Sequence, residues 1–300
     1  MLKQGPLFIF LWLAVFSAQA EANRLSLTTL NCGAFFGGGE THIELGQPRT
    51  SAEFWTKARN LVALWPTNAP LLVALEEIGG AREAVYLSQF AAARYQHTFQ
   101  PIFAETKDTF TEEAVGAILD LNQGWNISGK PGRVPELDSA VSKHLVVRLT
   151  NNFSALEICV VHLRRPIGQY GRRAQDKQCA ALKLWASARL AKNPHENLVI
   201  LGDFNEVKKP GDTAAALAPL LAQPPGLHDA FVLTSGNFRT HANGSAYDRI
   251  LLSPALAQGD AGIKFETISV QPHKHGKGEE KKLFTDHFPV TATFAFVPKK

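Results

Sequence analysis

LVILGDFN, at positions 198–205, is a run of four apolar residues followed by a glycine, an acid, an aromatic residue and an amide. A continuous apolar run of this length predicts a strand that is buried on both faces. Gly202 allows a close approach of the backbone where the strand ends. Asp203 and Asn205 are two positions apart, so in an extended segment their side chains point to the same side. A carboxylate beside an amide suits a hard cation next to a phosphate oxygen, and an Asx turn is the alternative interpretation.

Polar residues also mark the ends of other predicted strands. These residues are Asn31, Glu77, His162, Asp248 and the pair Asp286–His287. The end of a buried strand can hold a polar side chain rigidly at the rim of a sheet. Each residue alone could be a solvated turn residue or a strand cap. Six such positions in one chain, with Asp203 among them, predict a functional site at the rim.

The histidines of this set suggest acid–base chemistry. A carboxylate such as Asp248, bound to one imidazole nitrogen of His287, fixes the tautomer and leaves the other nitrogen to move a proton. His162 could polarise a phosphate or protonate a leaving oxygen. A buried, satisfied histidine is the alternative interpretation for each of the two. The sequence lacks the Gly-x-Ser-x-Gly pattern of serine nucleophiles, the His-Glu-x-x-His zinc pattern and a P-loop.

The spacing of apolar residues predicts one α/β domain that contains two sheets. Thr50 and Glu53 form a capping-box pattern ahead of a helical repeat. Further helices are predicted over Ala81–Ala93 and Arg173–Leu190. The pair of asparagines at 151–152 is typical of a hairpin turn, which favours mixed or antiparallel sheets. The predicted strands span Ser26–Asn31, Leu71–Leu75, Val115–Leu121, Leu145–Leu149, Leu156–Val161, Leu198–Leu201, Tyr247–Leu252 and Val290–Phe296.

The overall composition is that of an ordinary globular chain of 300 residues. With 45% hydrophobic and 19% charged residues, the composition excludes a disordered chain. The net charge of +4, from 31 basic and 27 acidic residues, is too small to identify a polyanionic partner. The segment that follows His162 is locally basic, which suits a phosphate backbone as well as a solvated helix face. Its basic residues are Arg164, Arg165, Arg172, Arg173, Lys177 and Lys183.

The N-terminus has the pattern of an export signal. Lys3 precedes an apolar run over residues 7–16, and Ala18-Gln19-Ala20 is typical of a signal-peptidase site. We expect residues 1–20 to be a cleaved signal peptide and residues 21–300 to be a single catalytic domain, secreted or periplasmic. An uncleaved membrane anchor is the alternative. Export permits disulfides, and a bridge between Cys159 and Cys179 is open, although buried thiols are favoured.

Several motifs together resemble one known superfamily. In chain order they are TTLN (28–31), VALEEI (73–78), VVHL (160–163), LGDFN (201–205), YDRIL (247–251) and TDHFPV (285–290). The chain is similar to the endonuclease/exonuclease/phosphatase superfamily, which has the deoxyribonuclease I-like fold. Two departures are mild: Glu76 stands where the superfamily usually has glutamine, which adds a charge, and Thr285 stands where it usually has serine.

The resemblance implies a fold and a metal site. The fold is a four-layered α/β sandwich, in which two central mixed or antiparallel sheets are flanked by helices. By analogy Glu77 is the principal ligand of a divalent cation, with Asn31 and Asp286 as further ligands. The expected ion is Mg²⁺, with Mn²⁺ or Ca²⁺ as alternatives, because oxygen ligands suit these hard cations.

The resemblance also implies roles for the remaining residues. Asp203 would orient or activate the attacking water, and Asn205 would hold the phosphate. His287 and Asp248 would form an acid–base pair, and His162 would stabilise charge on the phosphoryl oxygens. Whether Asp203 or His287 is the base stays open.

The expected function is an exported, metal-dependent phosphodiesterase, preferably a nuclease that hydrolyses DNA or RNA. Arg164 and Arg173 are the candidates for substrate binding. A sphingomyelinase-like or phosphatase activity on a lipid or small phosphoester is the alternative. A non-catalytic binding module on the same fold is disfavoured, because the residues implied by the resemblance are all present. We expect a monomer with no stable membrane insertion after signal cleavage.

Overall fold

Two β-sheets of six strands each lie at the centre of the part of the chain that the structure describes. The structure is a computed structural model, and it describes residues 24–36, 50–107, 111–206, 216–236, 238–275, 280 and 283–298. The expected signal peptide, residues 1–20, lies outside the described residues. The strands are β1 (Arg24–Phe35), β2 (Leu72–Ile78), β3 (Phe99–Ala104), β4 (Ala114–Asp120), β5 (Asn126–Ile127), β6 (His144–Thr150), β7 (Ala155–His162), β8 (Leu198–Asp203), β9 (His228–Asp229), β10 (Asp248–Leu252), β11 (Ile263–Val270) and β12 (Val290–Phe296).

The sheets have similar topologies. The first sheet has the order β11-β12-β1-β2-β4-β3, and the second has the order β5-β6-β7-β8-β10-β9. Each contains a parallel pair, β1–β2 in the first sheet and β7–β8 in the second, among antiparallel neighbours. The expectation of mixed sheets is therefore confirmed.

Helices cover the outer face of each sheet and complete four layers. In chain order the helices are α1 (Ser51–Ala63), α2 (Ala81–Tyr95), α3 (Pro135–Asp138), α4 (Gly168–Lys192), α5 (Ala218–Leu221), α6 (Ala230–Leu233) and α7 (Pro254–Gln258). Apolar residues of α1 and α2 pack on the first sheet, and those of α4 pack on the second. A third apolar cluster fills the space between the sheets. The predicted four-layered sandwich is confirmed.

The boundaries of two predicted elements differ from the structure by four residues or more at one end. The capping box is present at α1, where Thr50 and Glu53 each accept a hydrogen bond from the other's backbone N–H. Strand β1 runs four residues beyond Asn31, with an irregular register between Asn31 and Phe35. Helix α4 begins at Gly168 rather than Arg173, since the first turn carries exposed side chains that give no apolar period.

The strand registers bring polar residues together at one rim. His162 is paired with Asp203 across the parallel pair β7–β8, and Asp248 is paired with Asp203 across β8–β10. Asn31 pairs with Glu76 across β1–β2. Because Asp203 lies on the central strand of these pairings, three neighbouring strands deliver side chains to the same place.

The remaining expectations concern cysteines and membrane spans. Cys32, Cys159 and Cys179 are buried free thiols, so the Cys159–Cys179 bridge does not form. Cys159, on β7, and Cys179, on α4, both belong to the apolar layer between α4 and the second sheet. No helix within the described ranges combines the length and apolar character that a membrane span requires.

Candidate active site

The centre of the site is an amide placed between two carboxylates from different sheets. The side-chain nitrogen of Asn31 donates to Oε1 of Glu77 at 2.8 Å and to Oδ2 of Asp203 at 3.0 Å. Its oxygen accepts the backbone N–H of Gly33 at 2.9 Å, which fixes the amide orientation. Asn31 is fully buried. The predicted ligand Asn31 therefore also holds the two carboxylates in place.

Glu77 is held ionised by its surroundings. Glu77 has a left-handed backbone conformation, with φ of 54°. This conformation turns its side chain towards the rim near the end of β2. Its second oxygen accepts the backbone N–H of Ala34 at 2.9 Å. Burial alone would raise the pKa of Glu77, but His162 and His287, with the bonds from Asn31 and Ala34, outweigh it and lower the pKa. An ionised carboxylate is the form that binds a cation.

Asp203, His287 and Asp248 form the second part of the site. Nδ1 of His287 lies 3.0 Å from Oδ2 of Asp248, and its Nε2 lies 3.9 Å from Oδ2 of Asp203. Burial raises the pKa of Asp203 to about 7, while His287 opposes the shift and Asp248 and Glu77 add to it. Burial would lower the pKa of His287, but the same carboxylates outweigh it and hold that pKa well above its ordinary value. The predicted His287–Asp248 pair is thus assembled next to Asp203.

His162 faces three carboxylates. Its Nε2 lies 3.8 Å from both Glu77 and Asp203, and its Nδ1 lies 3.8 Å from Glu113. Glu113 is buried and is bound by Nζ of Lys143 at 2.5 Å. The sequence analysis missed Glu113 and Lys143. A usable signal existed for Glu113, because it stands directly before the buried strand β4.

The sequence analysis expected the side chains of Asn205 and Asp203 to point to the same side of an extended segment, and this expectation is wrong. Asn205 has a left-handed φ of 51°, so the segment is not extended at this point. Its backbone N–H donates to Oδ1 of Asp203 at 2.7 Å, and its side-chain nitrogen donates to the carbonyl of Leu163 at 2.9 Å. The Asx-turn interpretation describes this local geometry. Asn205 thus ties the end of β8 to the end of β7.

Asp286 lies at the outer edge of the site. Its carboxylate is 56% exposed and lies 3.1 Å from Nε2 of His241, and this hydrogen bond holds the pKa of Asp286 well below its ordinary value. His241 also packs edge-on against the His287 ring and was missed by the sequence analysis, since no strand pattern surrounds it. The preceding Thr285 hydroxyl donates to the carbonyl of Asn31 and accepts the N–H of His287, a role that serine could also fill.

Among the described residues, three sets of side chains bring possible metal-ligand atoms within 4.8 Å of one another. They are Glu77 with Glu113 and His162, Asp203 with Asp248 and His287, and Asp286 with His241 and His287. Glu77 and Asp286 thus belong to different sets. Both carboxylates reach solvent, with 22% and 56% of the side chain exposed. Accessible, ionised carboxylates fit a hard divalent cation that keeps several of its waters.

A buried lysine supports the metal-binding side of the rim. Lys57 of α1 is fully buried and donates to the carbonyl of Gly33. Burial lowers the pKa of Lys57 to about 8, against the opposing effects of Cys32, Glu77 and Asp286. The spacing of apolar residues predicts an amphipathic helix here, but it gives no sign that a lysine of this helix is buried. The positive charge of Lys57 interacts with Glu77 and Asp286, the two carboxylates predicted to bind a metal.

The predicted substrate-binding arginines lie outside this cluster. Arg164 and Arg173 are exposed, on the segment that leaves β7 and on α4. The backbone N–H of Arg164 is fixed by Oε1 of Gln178 at 2.8 Å. They therefore belong to the exposed surface of the protein and not to the buried cluster.

Comparison with known proteins identifies the family of the chain. The model of the Endonuclease/Exonuclease/phosphatase family matches residues 30–287. The chain belongs to this family. The family comprises phosphoester hydrolases, and the acidic and histidine clusters described above could hold the divalent metal on which they depend. A sequence search of curated proteins gives no significant match.

Solved structures of similar fold include members with different substrates. A humanized TDP2 of D. rerio is 16% identical, with a TM-score of 0.61, over 91% of this chain and 99% of that one. A D. rerio TDP2 complexed with single-strand DNA product is 15% identical, with a TM-score of 0.59, over 90% and 98%. A mannosyl-6-phosphatase of Bacteroides thetaiotaomicron is 12% identical, with a TM-score of 0.61, over 91% and 100%. At these identities the likeness concerns the fold.

Proposed function

We propose that this family member is a divalent-cation-dependent phosphodiesterase that hydrolyses nucleic acid. The observation that carries the proposal is the convergence of Glu77, Asp203, His287 and His162 at one rim, with Asn31 joining the carboxylates of two sheets. A purely structural set of buried ionisable groups would be costly to fold, whereas catalytic sites gather groups with shifted pKa values.

The residues divide the chemistry between them. Glu77 would hold the cation, with Asp286 and the oxygen of Asn31 as further ligands, and Mg²⁺ is the ion that we propose. When bound, the cation offsets negative charge that develops on the phosphoryl group. Nε2 of His287 lies 3.9 Å from Oδ2 of Asp203, which is too far for a direct hydrogen bond but close enough for the charge of one group to affect the titration of the other. This pair moves the proton of the attacking water, and the His162 imidazole stabilises a phosphoryl oxygen.

Nucleic acid is favoured over other phosphodiesters by local charge. Arg164, Arg165, Arg172 and Arg173 are exposed on the segment that directly follows His162. A row of guanidinium groups suits successive backbone phosphates, and a D. rerio relative of this fold is known with a single-strand DNA product. A small phosphoester, such as the substrate named for the Bacteroides phosphatase, would need fewer cations.

A panel of substrates tests the proposed function. The protein would be assayed on plasmid DNA, RNA, sphingomyelin and bis-(p-nitrophenyl) phosphate, each with Mg²⁺ and with EDTA. We expect hydrolysis of DNA or RNA that EDTA abolishes and that Glu77→Ala removes while its thermal unfolding stays cooperative. Hydrolysis of sphingomyelin alone, or EDTA-sensitive activity retained by Glu77→Ala, would contradict the proposed substrate or the proposed metal site.

We also propose that the protein is exported as a monomer. The support is the sequence pattern of residues 1–20, with Ala18-Gln19-Ala20 before the cleavage point. N-terminal sequencing of the native protein should begin near Glu21. Recovery of an intact Met1 would contradict cleavage, and a dimer on sedimentation would contradict the monomeric state.

A further inference from the structure

The chain that leaves β7 carries an exposed aromatic and cationic surface directly beside the active site. We call it the 164–173 surface, after its first and last arginines. Tyr170 is 78% exposed and Ile167 is 72% exposed, so an aromatic ring and an aliphatic side chain of the same short segment both lie mostly in solvent. The guanidinium carbon of Arg164 lies 6.0 Å from the centre of the Tyr170 ring. Exposure of this kind, flanked by cations, is typical of a binding surface.

Buried glutamines fix the 164–173 surface to the catalytic strand. Gln175 donates to the backbone carbonyls of Phe204 and Asn205 at 2.8 and 3.2 Å. Gln178 accepts the backbone N–H of Arg164, and both glutamines are buried. Helix α4 is therefore bonded both to the loop that follows Asp203 and to the loop that follows His162. The surface has a fixed position relative to the reacting centre.

A glycine keeps the first turn of α4 close to the arginine loop. A Cβ at Gly171 would lie 2.6 Å from the carbonyl oxygen of Arg165, so no other residue fits there without displacing the loop. The loop is also closed by a bond from the N–H of Ile167 to the same carbonyl at 2.8 Å. These contacts bring Tyr170 back over Arg164. The Tyr170 ring therefore lies by Arg164, which is two residues after His162 in the chain.

We propose that Tyr170 stacks on an unpaired nucleobase of a single-stranded substrate whose scissile phosphate lies in the site. This inference rests on the proposed function. An aromatic face accepts any base, and guanidinium groups alongside it bind the flanking phosphates. In a duplex each base face is covered by its neighbours, so an exposed ring of this kind favours a single strand. The charge of Arg164, Arg165, Arg172 and Arg173 complements a polynucleotide over several phosphates.

Binding measured without hydrolysis tests the proposal. Fluorescein-labelled single-stranded DNA of twelve nucleotides (about the span that such grooves contact) would be titrated in EDTA and followed by anisotropy. The variants are Tyr170→Ala, Tyr170→Phe and the matched control Phe153→Ala, whose ring is 72% exposed at the other end of β7. We expect Tyr170→Ala to weaken binding by roughly 5- to 100-fold. Tyr170→Phe and Phe153→Ala should bind within about twofold of the wild type, because both keep the stacking ring.

Modified probes separate base stacking from other causes. Scanning one abasic nucleotide along the strand should find a position at which wild type and Tyr170→Ala bind equally, because the stacked base is then missing. The loss should be smaller on duplex DNA. Equal binding of Tyr170→Ala and Phe153→Ala to the intact strand would overturn the proposal. So would a Tyr170→Ala defect that is confined to vesicles of phosphatidylserine and phosphatidylcholine.

The result is distinguishable from failure of the proposed function. Stacking is measured as affinity in EDTA, whereas the proposed function is measured as hydrolysis with Mg²⁺. A wild-type protein that binds the strand through Tyr170 but cleaves no nucleic acid would contradict the function only. A protein that cleaves nucleic acid with no contribution from Tyr170 to binding would contradict the stacking only.

Discussion

The amide nitrogen of Asn31, on β1, lies 3.0 Å from Oδ2 of Asp203, on β8, so one hydrogen bond joins the two sheets at the active site. The same nitrogen also donates to Glu77. A neutral donor at this point reduces the repulsion between two carboxylates that face each other. The site thus depends on one residue for both its geometry and its electrostatic balance.

Asn31→Asp should destabilise the protein and make its folding stability depend on the concentration of Mg²⁺. The substitution replaces the shared donor with a third acceptor, and we expect a loss of about 2–4 kcal/mol in EDTA at neutral pH. Saturating Mg²⁺ should recover part of the loss, since it binds the folded form. Thermal unfolding with and without Mg²⁺ measures both effects. Asn31→Ala, which removes the donor without adding charge, should gain less from Mg²⁺; equal gains would contradict the prediction.

Glu76→Gln should remove a pH dependence of stability. Glu76 is fully buried between the sheets, where Thr29 donates to one oxygen at 2.7 Å and the other has no hydrogen-bond partner among the described residues. Burial raises the pKa of Glu76 well above the ordinary value of 4.5. The expectation that Glu76 adds a charge to the site is therefore wrong, because burial favours the neutral form of its carboxyl group. Glutamine keeps the acceptor for Thr29 and stays neutral at every pH.

The sign of the Glu76 effect follows from proton binding. Above about pH 4.5 the unfolded chain loses the Glu76 proton while the folded protein keeps it, so folding stability falls as the pH rises, by at most about 1.4 kcal/mol per pH unit. Glu76→Gln should thus be increasingly more stable than wild type between about pH 5 and 7. Urea unfolding in EDTA across this range measures the difference. A constant or shrinking difference would show that Glu76 ionises in the folded protein.

Gly202→Ala should disrupt the central strand pair. A Cβ at Gly202 would lie 1.9 Å from the carbonyl oxygen of Val161, and the residue has φ of 139°. Because that oxygen is part of the parallel β7–β8 pair, we expect a loss of about 3 kcal/mol or more, or failure to fold. Gly124→Ala is the control, since Gly124 also has positive φ but open space around it. Similar unfolding temperatures for the two variants would contradict the steric argument.

The central strands could be predicted from the sequence because they are buried on both faces. Continuous apolar runs identify β2, β7 and β8, and the polar residues at their ends identify most of the site. Two longer strands that the sequence did not reveal, β3 and β11, are the edges of the first sheet. Neither carries a continuous apolar run: Pro101 interrupts β3, and β11 alternates apolar with polar residues, a strand pattern that the search for continuous runs passed over.

The parts of the site that could not be predicted depend on contacts between distant segments. His241 and Lys57 reach the rim from a loop and a helix whose local sequence carries no chemical motif. The direction of Asn205 depends on a left-handed residue that an alternating pattern cannot show. Sequence patterns locate side chains along a strand, whereas these contacts are set by tertiary packing.

Replacing the arginines of the 164–173 surface should reduce the salt dependence of nucleic-acid binding. We expect the quadruple variant at Arg164, Arg165, Arg172 and Arg173, each changed to alanine, to bind single-stranded DNA more weakly. For each phosphate that the variant no longer neutralises, the log–log salt slope should fall by about 0.7. Anisotropy titrations in EDTA over a range of NaCl concentrations measure the slope. An unchanged slope would identify these arginines as a solvated face and remove the charge argument for nucleic acid.

Lys143 and Glu113 should show strong energetic coupling. The Lys143 ammonium lies 2.5 Å from Oε2 of Glu113, and both side chains are at least nine-tenths buried. Lys143→Met removes the ammonium group from a buried carboxylate, for which we expect a loss of about 3–5 kcal/mol. In the double variant with Glu113→Gln the carboxylate charge is absent as well. The free energy of unfolding that the double variant loses should therefore be smaller than the sum of the two single losses, by about 1–3 kcal/mol.

Urea unfolding of the wild type, both single variants and the double variant gives this coupling directly. The Glu113–His162 distance of 3.8 Å adds a catalytic readout to the same set. Because Glu113 also faces Nδ1 of His162, Glu113→Gln removes a carboxylate that helps to orient the imidazole, and we expect it to lower the rate of hydrolysis. Additive stability losses together with an unchanged rate would show that Glu113 serves neither its lysine nor His162.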